Sequence, residues 1–314
     1  MSVTSSNGSA AALLTRGRGL VEVGGPDRIS WLQGMVSNDV ARLKPGEGCY
    51  ATHLNPRGRV LAQMLVLATD DALFLELESA NAAAAVEAMD RLLIMEDAQI
   101  ADRSGEVAIL SVVGSEAWAV IDRWAGRTLD LELYRHAEVE GARVVRFEVG
   151  FDVIIPADRA AETSRALVQD GAGTADSRFW EVLRVEAGLP EYGIDIDATT
   201  TLPELGEAAI DYDKGCYVGQ EVVAKIKYIG HVNRRFVGFT LDGDELPAQS
   251  SAVERDGKQI GRITSAVVSP SLGSAIALGF VRYGSDKAGT EVRIVSGESS
   301  LPAVVTVLPF VSHH

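Results

Sequence analysis

The sequence predicts an α+β fold with antiparallel sheets, followed by a small β-barrel. Two observations carry this. From the start to about residue 233, strand-like and helix-like stretches interleave without a strict repeating unit and with several hairpin signals. From Arg234 onward helical periodicity disappears, and short β-rich runs are broken by turns at Asp242-Gly243, Asp256-Gly257 and Gly284 to Asp286, a pattern of five to seven strands that fits a barrel or sandwich.

In the first part, Gly25-Pro26-Asp27 opens a helix that spaces Ile29, Leu32 and Val36 along one face. Strands over Cys49 to Leu54 and Val60 to Ala68 flank Asn55-Pro56-Arg57-Gly58, a turn signal that makes them a hairpin. A strand over Leu73 to Leu77 precedes a helix from Ser79 to Met95, with Ala82, Val86, Met89 and Leu93 on one stripe. Val107 to Val113 and Val144 to Ile155 read as strands, whereas Ser115 to Ala125 and Asp158 to Gln169 read as helices. Asp176 to Ala187 is a further helix, stopped by Gly188. A last helix begins with the turn Gly219-Gln220-Glu221, places Val222, Val223, Ile226 and Ile229 at near-helical spacing and ends at Gly230.

Composition narrows the function classes. The chain has 314 residues, 46% of them apolar, enough for two or three packed units. Its net charge of −15 opposes nonspecific attraction to nucleic acid or anionic membranes, so neither is an expected direct partner. The pairs Arg57/Arg59 and Arg234/Arg235 read as solvated surface features. No window has the apolar length of a membrane span, and Met1 to Ala12 lacks the layout of a signal peptide, so the expected compartment is the cytosol. Cys49 and Cys216 suit a reducing compartment, though their pairing stays open. No Cys/His cluster has metal spacing, and no metal site is expected. Rossmann and P-loop glycine patterns are absent from strand-to-helix turns.

Two features carry chemistry. The stretch Lys214-Gly215-Cys216-Tyr217-Val218-Gly219-Gln220-Glu221 packs a cation, a thiol, two glycines, an amide and a carboxylate into eight positions. Cys216 precedes a helix N-terminus and Lys214 stands close by in sequence; both favour thiolate over the ordinary thiol pKa of ~8.5, against the pull of Asp211 and Asp213. The plain alternative is a small buried hydrophobe. The second feature is Glu186, which falls on the apolar face formed by Phe179, Val182 and Leu183. A carboxylate there requires donors: a salt bridge to Arg184 or Arg178, exposure at the helix end, or a ligand offering two adjacent N–H groups.

These residues resemble a known family. Arg184-Val185-Glu186-Ala187-Gly188-Leu189-Pro190-Glu191-Tyr192-Gly193 resembles the helix-end motif of the glycine-cleavage T-protein superfamily, and Lys214 to Glu221 resembles the signature of its YgfZ branch. Val23 to Arg28, Gln33-Gly34, Ser37-Asn38-Asp39 and Leu54 to Arg59 look like its N-terminal landmarks. Gly261 to Ser265, Ala277 to Val281 and Leu308 to Val311 look like its C-terminal barrel. The resemblance implies a three-domain ring around a tetrahydrofolate pocket, with residues 1–233 as a folate-binding region of two intertwined subdomains and 234–314 as the barrel. It implies Glu186 as the group that holds the pterin's paired N–H donors, with Lys214, Asn55 and Tyr192 as further cofactor contacts and Cys216 as the candidate reactive thiol.

The chain departs from the enzyme branch at two points. Where T-proteins carry an acidic pair after the Leu-Asn turn, this chain has Ala62-Gln63, and the tyrosine expected at the extreme C-terminus is missing. A neutral amide supplies neither the charge nor the proton chemistry of a carboxylate. The resemblance therefore implies a tetrahydrofolate-binding accessory factor for assembly or repair of iron–sulfur proteins, indirectly supporting tRNA modification, with iron–sulfur clients or assembly factors as partners. The rival expectations are a folate-dependent aminomethyltransferase or related demethylating module, and an interaction scaffold without ligand.

Overall fold

The computed structural model describes residues 10–312, so residues 1–9 of the Ser/Ala-rich start lie outside the described residues. Two compact units divide the described residues: one holds residues 10–177 together with Glu207–Val222, the other Arg178–Gly206 together with residues 223–312.

The first unit is built on two sheets. One comprises β1 (Ala12–Leu14), β7 (Val107–Val113), β8 (His136–Val139), β9 (Ala142–Phe147), β10 (Gly150–Pro156) and β11 (Gly173–Thr174), in the order β11-β1-β7-β10-β9-β8. The other comprises β2 (Arg18–Gly24), β3 (Gly48–Leu54), β4 (Val60–Ala68), β5 (Leu73–Glu78) and β6 (Gln99–Asp102), in the order β3-β4-β5-β2-β6. All these pairings are antiparallel except β1 with β11. Helices α1 (Arg28–Met35) and α2 (Ser79–Asp90) contribute Leu32, Ala82 and Met89 to the core of the second sheet. Helices α3 (Ala117–Ala125) and α4 (Ala160–Gln169) bury Val120, Ile121 and Leu167 against Val112, Phe151 and Val153 of the first.

Helix α5 (Ser177–Glu186) leads into the other unit, and helix α6 (Gln220–Tyr228) leads into its barrel. The barrel consists of β12 (Arg234–Leu241), β13 (Ala252–Arg255), β14 (Lys258–Ser269), β15 (Ser274–Arg282), β16 (Glu291–Ser296) and β17 (Ser299–Thr306), closed in the order β12-β15-β14-β13-β16-β17. Closure removes the unpaired strand edges that an open six-stranded sheet would expose. Val237, Phe239, Ile263, Ala277, Val281 and Ile294 fill its interior, while Leu278 and Ile276 face the other way and pack with Val185 of α5. The three turns expected in this region each join barrel strands, and Asp256 and Gly257 both take positive φ (52° and 71°), as a two-residue hairpin turn demands.

Two expectations are corrected. The stretch Val144 to Ile155 is not one strand: Glu148 and Val149 turn it back, so β9 and β10 form a hairpin with Gly150 opposite Phe147. The helix expected from Ser79 to Met95 ends at Asp90, and Ile94 and Met95 are 82% and 92% exposed. Neither lies on the stripe of Ala82, Val86, Met89 and Leu93, whose last member still packs against the core from the turn beyond the helix.

His136 ties the two sheets of the first unit. Its backbone N–H donates to Gly46 O (2.9 Å), and its ring Nε2 lies 3.0 Å from Ala68 O. Burial, with the charge of Arg143 adding to it, lowers its pKa to about 4. The unfolded chain binds a proton below about 6.5, the native state only below about 4, so stability is lost as pH falls through this window. We predict that acid destabilisation between these limits, measured as the urea midpoint, is shallower in His136→Gln, by at most about 3 kcal/mol.

Candidate functional site

In the barrel-containing unit the site is organised around α5. Arg184 is fully buried on one side of this helix. Its guanidinium donates to Asp195 (2.7 Å), to Glu181 (2.6 and 2.7 Å) and to Ser265 Oγ of β14 (2.7 Å). Asp195 in turn accepts from Thr264 Oγ1 (2.5 Å), Ser265 Oγ (2.7 Å) and the Glu191 N–H (3.0 Å). Glu186 is 2% exposed. Its Oε1 accepts from Ser269 Oγ and from the Ser271 N–H (3.3 Å), and its backbone carbonyl accepts from Phe310 and Val311 (2.9 and 3.0 Å). The salt bridge weighed between Glu186 and Arg184 does not form: Arg184 is committed to Asp195 and Glu181, and hydroxyl and backbone donors of the barrel meet Glu186 instead.

Tyr192 lies half-buried in the loop that Asp195 organises, in the same unit as Glu186. Burial raises its pKa, and Asp197 adds to the rise.

In the other unit the segment 214–219 runs between α1 and the β3–β4 turn. Lys214 is 7% exposed and its ammonium donates to Gln33 O (2.8 Å), Val36 O (2.6 Å) and Asn38 O (2.7 Å). Those carbonyls lie at and just beyond the C-terminus of α1, where groups without intrahelical partners and the negative end of the helix dipole favour a cation. An ammonium has three donors, and all three are used. The side chain thereby fastens the signature segment to α1. Burial lowers its pKa to about 8, with Asp39 the largest opposing charge.

The far end of the segment is fixed by close approach. Gly219 has φ +84°, and a Cβ there would stand 2.6 Å from Asn55 O and 3.2 Å from Gly58 Cα, so only glycine fits. The fold thus brings Asn55 and the signature segment together. Asn55 itself shapes the turn: its Oδ1 accepts from the N–H groups of Arg57 (2.9 Å) and Arg59 (3.2 Å). Between the anchors, Tyr217 is buried, while Gly215 and Cys216 are exposed. Gln220 opens α6 and Glu221 is an exposed acid in its first turn. Cys216 thus stands four residues ahead of the helix, with Tyr217, Val218 and Gly219 between.

Ala62 is completely buried in β4, and the Gln63 amide donates to the Tyr50 hydroxyl. Among the described residues no group of three or more His, Cys, Asp or Glu could hold a metal ion, and no helix is long and apolar enough to cross a membrane.

An antiparallel α+β region, a closed six-stranded barrel and a buried helix-end glutamate together define a class. Residues 16–214 match the family model for the GCVT N-terminal domain, and residues 234–312 match that for the glycine cleavage T-protein C-terminal barrel domain. The chain belongs to the glycine cleavage T-protein family. It is similar to the aminomethyltransferase of Halothermothrix orenii (28% identical, covering 93% of this chain and 86% of the relative). It is likewise similar to the mitochondrial aminomethyltransferase of Gallus gallus (30%, covering 92% and 79%) and to that of Bordetella pertussis (30%, covering 93% and 82%). The crystal structure of the glycine cleavage system aminomethyltransferase T from Bartonella henselae superposes with a TM-score of 0.90 at 24% identity, covering 98% of this chain and 88% of that one, which shows the shared fold.

Replacing Lys214 leaves three carbonyls at the end of α1 without their donor. Lys214→Met is expected to cost about 1–3 kcal/mol in urea unfolding. It should also speed amide exchange at Val218, whose N–H donates to Gly34 O (3.1 Å).

Proposed function

We propose that this protein binds a reduced folate, tetrahydrofolate or a one-carbon derivative, and handles its one-carbon unit in the manner of the aminomethyltransferases it is similar to. Glu186 carries the reading: it is a carboxylate 2% exposed, at the end of a helix fixed on the barrel, within the motif shared with the T-protein family. A carboxylate offers a planar pair of acceptor oxygens, the geometric complement of the adjacent N–H donors of a pterin. Tyr192, on the loop organised by Asp195, and Asn55, at the turn that Gly219 touches, are proposed as further contacts, and Cys216 as the accessible thiol of the signature segment.

One observation favours a second reading. Aminomethyl transfer calls for a carboxylate where this chain has the buried Ala62 and the neutral Gln63, whose amide is engaged with Tyr50. That substitution fits a tetrahydrofolate-binding accessory factor for assembly or repair of iron–sulfur proteins, the YgfZ-type role that the segment Lys214 to Glu221 suggests. The names of the relatives support aminomethyl transfer more directly than they support this role.

Two measurements test the proposal. Titration with tetrahydrofolate should saturate, and Glu186→Ala should weaken it about tenfold or more, the value of one charge-assisted hydrogen bond; unchanged affinity would remove Glu186 as the anchor. A glycine-cleavage assay with the lipoyl carrier protein separates the two readings. Folate-dependent turnover establishes the aminomethyltransferase, and folate binding without turnover favours the accessory factor.

A further inference from the structure

A second site lies on the outer face of the barrel and does not depend on the folate reading. Strand pairing sets Arg234 of β12 directly opposite Arg282 of β15, and Arg262 of β14 directly opposite Phe280, two residues from Arg282. Side chains two apart share a face of a strand, so the three arginines stand on one face across three neighbouring strands. Like charges directly opposite each other destabilise a sheet unless something neutralises them. Here they line a groove of about 280 Å³ with Gln259, Ile260 and Phe280.

The protein's own carboxylates neutralise only part of this charge. Arg234 Nε donates to Glu204 (3.1 Å), and its guanidinium lies over the Phe280 ring at 4.3 Å, which orients it flat in the groove. Glu204 is also engaged at its own turn, accepting from the Thr201 N–H (3.2 Å). Asp197 lies close enough to Arg262 and Arg234 for their charges to lower its pKa, after the larger effect of Thr199, whose N–H and hydroxyl (2.7 and 2.6 Å) occupy its Oδ1. Arg262 Nε is buried and has no hydrogen-bond partner among the described residues. Arg282 is exposed and forms no ion pair among the described residues. By contrast Arg235, which alternation turns to the other face, is paired with Asp286 at 3.1 Å.

We propose that this groove binds a phosphoryl group, as free phosphate or as the end of a small phosphorylated metabolite. Three guanidinium forks match the three terminal oxygens of a tetrahedral dianion, whereas a carboxylate is satisfied by one. The volume sits at the lower limit of small-molecule pockets, ~300 Å³, and fits a headgroup better than a whole cofactor. A chain of net charge −15 repels a nucleic-acid backbone, but a single small anion need meet only the local positive groove.

The test is the phosphorus-31 line width of inorganic phosphate and of glycerol phosphate, titrated against the full-length protein at fixed ionic strength. Saturable binding is expected, competed by sulfate and unaffected by replacing one chloride salt with another. Arg262→Gln/Arg282→Gln should weaken it about tenfold or more. Arg282→Gln alone, an exposed substitution that leaves the fold unchanged, should weaken it in the same direction. Tighter binding of glycerol phosphate assigns the groove to a metabolite, and equal binding assigns it to free phosphate. Absence of saturation, equal binding by the variants, or a preference for citrate over every phosphoryl compound would overturn the proposal.

Discussion

The buried guanidinium of Arg184 is the interaction on which the barrel-side site depends. Removing a cation from water costs several kcal/mol unless its donors are met, and here Asp195, Glu181 and Ser265 meet them. Because Asp195 also gathers Thr264 and the Glu191 backbone, one cation fixes α5, the loop after it and β14 together. Glu186, two residues along, leaves the helix on another side and meets Ser269, four residues beyond Ser265 on the same strand. Helix α5 is therefore held to β14 at two points by groups of opposite charge. Neither contact can shift without disturbing the other, so the carboxylate is oriented before any ligand arrives.

The signature segment is held in the same manner with the signs reversed. Its lysine is spent on backbone carbonyls at the end of α1, and its glycine on close approach to the Asn55 turn. Only the short stretch Gly215-Cys216 is left to solvent between these anchors. The residues that looked most chemical in this stretch divide into two that hold it in place and one, Cys216, that is presented.

Local signals were legible where sequence and burial agree. The strands Val60–Ala68 and Val107–Val113 have the predicted bounds, the Asn55-Pro56-Arg57-Gly58 turn joins β3 to β4, and the loss of helical periodicity after Arg234 marks the barrel. The hairpin hidden in Val144 to Ile155 was not legible because both its strands are apolar, and its two turn residues, Glu148 and Val149, carry no glycine or proline signal. The early end of α2 escaped because Leu93 keeps the spacing of the stripe and packs against the core from the turn beyond the helix, so periodicity alone carries the helix too far. Long-range partners escaped altogether. The acceptors of Lys214 lie 176 to 181 residues away and the Ser269 donor of Glu186 lies 83 residues away, so spacing could state that each group needs partners without naming them. The arginines of the outer barrel face look like separate surface charges in sequence and become one cluster only through strand register.

The two functional readings share the folate and differ in the chemistry done with it. Similarity to aminomethyltransferases extends along most of the chain, while the departure that bears on proton chemistry lies at Ala62-Gln63, an uncharged pair in a strand whose bounds match the expectation. The common claim is that Glu186 holds the pterin. Carbon-13 NMR of the protein labelled at glutamate carboxyl carbons, with the Glu186 resonance assigned by Glu186→Gln, tests it most directly. Saturating tetrahydrofolate should shift that resonance, whereas p-aminobenzoylglutamate, which lacks the pterin, should leave it in place. A Glu186 resonance unmoved by tetrahydrofolate would contradict the account.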